Sequence, residues 1–391
     1  MAFDFDVYIK LSAEDKDTSD FASLNLPALS GWADELLHPI LEMYNRNFYI
    51  PQNGKLSLQW SRKKTFEAWI TSDDLQFPFH TIWITETLVK QIAADSEAFT
   101  RYAIHRLIEP DFSAVWEKQG LTLDGVGVYP QGVNPSNNRQ MMLNHGLTWI
   151  ATHEIAHSLQ SHAALRYGVP GVTWIGQSRV SEKPNADESC SDLEAEIFQA
   201  TELAADYQAL KGLIMGLIAQ KREGFKRGQV SESFITLTDI WTVFTSIALV
   251  FLRFHNFKGK KFDGTVEGHH PHPAIRYLLL TQNLIGILLD EHLKDIGGYS
   301  LREIDLAQAM VHSFWVVIMF WADRYEKGAE VINFGEIMTD SETPEIRNYL
   351  QKIVSRWDLL RPIVKKSYNN EFFLMQFNIF VRRISGIPAP A

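Results

Sequence analysis

The stretch LNHGLTWIATHEIAHSLQSHAALRY, residues 143–167, constrains this chain more than any other. It reads as one helix whose surface is mostly apolar, through Trp149, Ile150, Ile155, Ala156 and Leu159. Yet His153, Glu154 and His157 sit in the middle of it. A helix of that kind has to be buried, and buried ionisable groups require partners. Any fold open to this chain must surround the helix and bring polar or charged groups to meet it.

On a helix, His153 and His157 are one turn apart and project from the same face. Two imidazole nitrogens at that separation can hold one Zn²⁺, with Glu154 beside the open coordination position. H-E-x-x-H also arises by accident in a chain with 13 histidines, so the rest of the set decides its meaning. Catalytic zinc takes three protein ligands and keeps the fourth position for water. TELAAD supplies a candidate: Glu202 and Asp206 are again one turn apart, among Leu203, Ala204, Ala205 and Ala209. A carboxylate pair in such surroundings needs something positive to face. Glu202 is expected to ligate the metal and Asp206 to accept a hydrogen bond from the far nitrogen of a ligating imidazole. Glu188 and Asp192 have the same spacing, but their polar, turn-rich context reads as a solvated helix start.

A third cluster is EGHHPHPAIRYLLL. His269, His270 and His272, with Pro271 and Pro273, form a rigid connection into a helix that carries Arg276. Histidine and arginine are suitable donors to a developing oxyanion; a surface histidine-rich turn with adventitious metal affinity is the competing reading. His145 and His162 read as ordinary helix residues. His162 follows His157 by five positions and would face away from the metal side. Ser158 and Cys190 belong to no recognisable nucleophile arrangement.

HEIAH, ELAAD and HPHPAIR in that order resemble the gluzincin metallopeptidases, most closely the HtpX, Oma-type and CAAX prenyl protease group. A Lit-type phage-exclusion peptidase is an alternative relative. The resemblance spans roughly residues 76–285 and implies His153, His157 and Glu202 as zinc ligands and Glu154 as general base. It implies Asp206 behind a ligand, and His270 with Arg276 at the transition state. His272-Pro273 repeats the His-Pro pattern, so His272 is a second candidate for the role of His270. It also implies that PFHTIWIT (78–85) is an edge strand able to accept a substrate backbone as an added strand. Membrane members of that group carry clear spanning helices, which this sequence lacks.

Around these motifs the chain reads as α+β and predominantly helical: a zincin-like catalytic core, a small N-terminal β-sheet and a helical C-terminal part. Strand patterns occur at 5–11, 55–61, 66–72 and 78–85, and helical ones at 26–44 and 86–108. NPSNNRQ (134–140) reads as a turn-rich boundary, and 168–189 as a long loop that could act as a lid. Ser191 with Glu194 is a capping box opening the next helix. The divisions expected are a mixed region at 1–75, a catalytic core at 76–285 and a helical region at 286–391 packed on it.

A net charge of −10 and a pI near 5.7 argue against a nucleic-acid partner. Cys190 is the one cysteine, so no intrachain disulfide forms, and the acidic start lacks the pattern of a cleaved signal. A cytoplasmic setting is expected. The apolar runs 240–252 and 306–322 read as core helices rather than membrane spans. The expected function is zinc-dependent hydrolysis of a protein or peptide substrate. The alternatives are a zinc-stabilised regulatory or binding protein with a vestigial site, and hydrolysis of a non-peptide amide.

Overall fold

The computed structural model describes residues 26–72, 79–106, 135–162, 165, 179–181, 191–228, 234–255, 262–290, 294–295, 299, 301–325, 337, 340–367, 375, 377 and 379–387. It is α+β and predominantly helical. Helix α1 (Leu26–Tyr44) buries Leu29, Ala33, Leu37 and Tyr44 along one stripe. A π turn (Asn45–Tyr49) and a 3₁₀ turn (Ile50–Gln52) follow. They stop at Asn53, whose φ of 57° is the left-handed conformation that asparagine tolerates.

Four strands then form one sheet: β1 (Lys55–Ser61), β2 (Ala68–Ser72), β3 (Phe79–Thr85) and β4 (Arg179–Ser181). Their order is β1-β3-β2-β4, with β1 parallel to β3 and β2 antiparallel to both β3 and β4. Ile82 and Ile84 of β3 point into the core, while Trp83 between them stacks on Trp69, with centroids 5.9 Å apart. Strand β3 therefore lies inside the sheet. The expectation that it is an edge open to a peptide is overturned, because both of its rows of backbone groups are already paired. The outer edge of β1 is itself engaged at Leu56: the Asn45 amide donates to the Leu56 carbonyl at 2.8 Å and accepts from its N–H at 2.7 Å. Strand β4 comes from the segment expected to be a loop. The remainder of 168–189, with the lid reading, lies outside the described residues, as does the strand expected at 5–11.

The helices are α2 (Glu86–Arg106), α3 (Pro135–Leu159), α4 (Asp192–Lys226), α5 (Leu237–His255), α6 (Pro273–Leu289), α7 (Glu303–Tyr325), α8 (Pro344–Ser367) and α9 (Ile379–Ser385). Helix α3 is the centre: α2, α4 and α5 pack around it, and β2 and β3 lie against it. Gly146 makes part of this closeness possible. A Cβ there would stand 3.3 Å from Ile92 of α2 and 3.5 Å from Val250 of α5. The turn-rich run NPSNNRQ differs from expectation, because α3 already begins at Pro135. Proline suits a first helical turn, and Asn138 is fully buried, accepting from the Thr242 hydroxyl at 3.0 Å. At the start of α4 the capping box forms as expected: the Glu194 carboxylate accepts from the Ser191 N–H at 2.9 Å, and the Ser191 hydroxyl accepts from the Glu194 N–H.

Two described helical windows, Leu237–Phe254 and Glu303–Ala322, are long and apolar enough to cross a membrane; 78% and 61% of them are buried inside the fold. They pack on each other, and Trp241 donates to His312 between them at 2.9 Å. Among the described residues one hydrophobic cluster runs from Leu29 to Ile384. The metal-motif helix is thus enclosed as its apolar surface requires.

Candidate metal centre

His153 and His157 project from the last two turns of α3 toward Glu202 of α4, and all three are at most 1% exposed. The two Nε2 atoms are 3.0 Å apart. Glu202 places one carboxylate oxygen 3.3 Å from His153 Nε2 and the other 3.3 Å from His157 Nε2. Bonds of about 2.0–2.1 Å at tetrahedral angles set ligand atoms about 3.3–3.4 Å apart. The triangle has that size, so these residues can hold a metal ion. Burial pushes the Glu202 carboxyl upward. The charges of His157 and His270 and hydrogen bonds from His153 and His157 outweigh that, holding it well below the usual carboxylate range.

Behind His153 the arrangement is carboxylate-backed. Its Nδ1 lies 2.9 Å from Asp206 Oδ1, on the same face of α4 as Glu202, one turn later. Asp206 receives two further hydrogen bonds from Arg276, from Nε at 2.8 Å and from Nη2 at 2.6 Å. Burial raises the Asp206 pKa, but the Arg276 charge and these hydrogen bonds bring it below the usual value. The guanidinium also stands 4.6 Å over the Phe251 ring and 5.6 Å from that of Trp149. Arg276 was expected as an oxyanion donor. Its Nε and Nη2 donate to Asp206, which in turn stands against His153 Nδ1.

The His-Pro segment divides. His270 Nδ1 is 3.3 Å from Glu202 Oε2, which brings this histidine to the centre. His272 turns the other way: it is the N-cap of α6, its Nδ1 accepting from the Ala274 N–H, with its ring beside Phe262. The segment is held by residues that the motifs do not reveal. Gln199 of α4 donates to the carbonyls of Glu267 at 2.8 Å and Gly268 at 3.3 Å, and accepts from Tyr349 of α8 at 2.7 Å. Gly264 has a φ of 78°, and a Cβ there would stand 2.5 Å from the Glu345 carbonyl oxygen. A polar residue three positions before Glu202, and so close to the same helix face, was the available signal for Gln199.

His162 departs from expectation most clearly. Helix α3 ends at Leu159, and Ser161 takes a left-handed φ of 53°, which turns the chain back. A five-residue helical offset therefore does not apply, and His162 Nδ1 lies 2.7 Å from His157 Nδ1. Glu154, between the two histidines, is fully buried. His145 is buried as an ordinary helix residue, its pKa pushed down to about 4 by burial against a smaller opposing effect of Asp239. The geometry is that of a buried His-His-Glu group that could hold a metal ion, with a separate polar neighbour behind each histidine. No protein-family model, no curated protein and no solved structure matches this chain.

Proposed function

We propose that this protein is a zinc-dependent metallopeptidase of gluzincin type, acting on a protein or peptide substrate. The observation that carries the reading is the triangle of His153, His157 and Glu202, the two-histidine, one-glutamate donor set of hydrolytic zinc sites. It closes on a buried helix that also carries Glu154. When bound, zinc supplies Lewis acidity that polarises the scissile carbonyl and brings the pKa of the attacking water toward about 7.

The chain's own residues do the rest. Glu154 takes the proton released as water attacks and delivers it to the leaving nitrogen. Burial strengthens that role, since a carboxylate removed from bulk water interacts strongly with a proton donor. His270 donates to the developing oxyanion through Nε2, because its Nδ1 faces Glu202. Asp206, held by Arg276, fixes the orientation of His153 so that Nε2 faces the metal position.

Glu154→Gln tests the assignment. The amide keeps shape and hydrogen bonding but cannot accept the proton. The variant is expected to retain stoichiometric zinc while cleavage falls by about 10²–10⁴-fold. Comparison of newly formed peptide termini in a proteome treated with either protein reads this directly and identifies substrates. Equal cleavage by both would remove Glu154 from the mechanism.

A further inference from the structure

The polar support behind His157 is unlike that behind His153. From His157 Nδ1 a buried chain of side chains runs outward: His162 Nδ1 at 2.7 Å, then His162 Nε2 to Gln160 Oε1 at 3.1 Å, then Gln160 Nε2 to Gln208 Oε1 at 2.8 Å. Gln160 Nε2 also reaches the Ala204 carbonyl at 3.4 Å. Every member is within 1% of full burial, and the chain ends on α4, the helix that carries Glu202.

We infer that His162 is a positioning residue for the metal, acting through His157. The polarity of the chain follows from one condition. If His157 Nε2 presents its lone pair to a metal, its proton is on Nδ1. His157 Nδ1–H then donates to His162 Nδ1, which must be unprotonated, so the His162 proton is on Nε2 and donates to Gln160 Oε1. Gln160 in turn donates through its amide nitrogen to Gln208. Each link has one donor and one acceptor, and no link can be reversed without placing a proton on the nitrogen that faces the metal.

The left-handed Ser161 is what permits this, since it folds His162 back onto His157 instead of one-third of a turn away. The two ligands thereby receive different support: an anionic carboxylate behind His153 and a neutral imidazole-amide chain behind His157. A second buried carboxylate behind His157 would have added a negative charge that itself required a balancing cation, whereas the neutral chain fixes the ring without adding one.

This inference rests on the metal-site reading, and the test separates the two. Zinc affinity is measured by chelator competition for wild type, His162→Phe and His162→Asn, with melting of the metal-free proteins recorded alongside. Asparagine places its amide oxygen where Nδ1 stands and retains the first link; phenylalanine removes it at similar volume. The expected result is affinity weakened about 10–100-fold in His162→Phe and restored to within about threefold of wild type in His162→Asn. Equal affinities for wild type and His162→Phe would overturn the inference, as would equal losses in the two variants, which would indicate packing alone. A wild type that binds no zinc overturns the metal-site reading and this inference with it. Should the variants not fold, ¹⁵N-histidine NMR of the zinc-loaded wild type decides the question. The proton of His162 is expected on Nε2 and that of His157 on Nδ1; a proton on His162 Nδ1 would refute the chain.

Discussion

Arg276→Met is the most informative perturbation of the centre's support. Arg276 is 4% exposed and Asp206 1% exposed, joined by hydrogen bonds of 2.8 and 2.6 Å. Methionine fills much of the arginine stem's volume beside Phe251 and Trp149 but leaves the Asp206 carboxylate with His153 Nδ1 as its one remaining hydrogen bond among those above. Removing one partner of a buried ion pair costs about 3–5 kcal/mol, a large share of a typical total stability of about 5–15 kcal/mol. Asp206→Asn in the same chain removes the uncompensated charge and still accepts from His153. The double variant should therefore be more stable than Arg276→Met alone, by about 2 kcal/mol, although it carries one substitution more. Urea unfolding of chelator-treated protein, followed by circular dichroism, measures all four corners of this cycle without a metal contribution. Two results would refute the reasoning: a cost below about 1 kcal/mol for Arg276→Met, or additive costs in the double variant.

Other consequences can be checked independently. His145 and His312 are buried and held neutral, each with its pKa lowered from 6.5 to about 4 by burial. The unfolded chain takes up these protons first as pH falls, so their effect is absent above pH 6.5 and destabilises increasingly below it. Each contributes a loss of about 2 kcal/mol by pH 5, and His145→Leu should flatten the dependence of the urea midpoint between pH 6.5 and 5. Gly264→Ala forces a side chain into a left-handed position 2.5 Å from the Glu345 carbonyl oxygen, and should cost about 1–3 kcal/mol in urea unfolding. Zinc at 1,000 times its dissociation constant should stabilise the metal-free protein by about 4 kcal/mol, read as a melting shift reversed by chelator. An unshifted melt would mean that the trio binds no zinc.

The sequence by itself determined many of the described elements and the local part of the site. Strand patterns located 55–61 and 78–85, the latter by its aromatic and β-branched residues, and Ser191 with Glu194 opened α4 where the capping pattern put it. The four-residue spacings of His153 with His157 and of Glu202 with Asp206 fix shared faces because a helix turns every 3.6 residues, whatever surrounds it. Apolar neighbours then distinguished Glu202 from Glu188, since a carboxylate inside a core has to be met by a partner. Tertiary structure decided the rest, because distances between elements depend on how helices and strands pack and where they end. The sheet order put β3 inside, although its own pattern suits an edge equally well. The end of α3 at Leu159 brought His162 to His157, against a helical offset that pointed it away. The approach of α6 to α4 gave Arg276 to Asp206, and the Gln199 and Tyr349 contacts brought His270, not His272, to Glu202. Side chains one turn apart are settled by backbone geometry, while those that meet across 40 or 70 positions are settled by the core that holds their helices together.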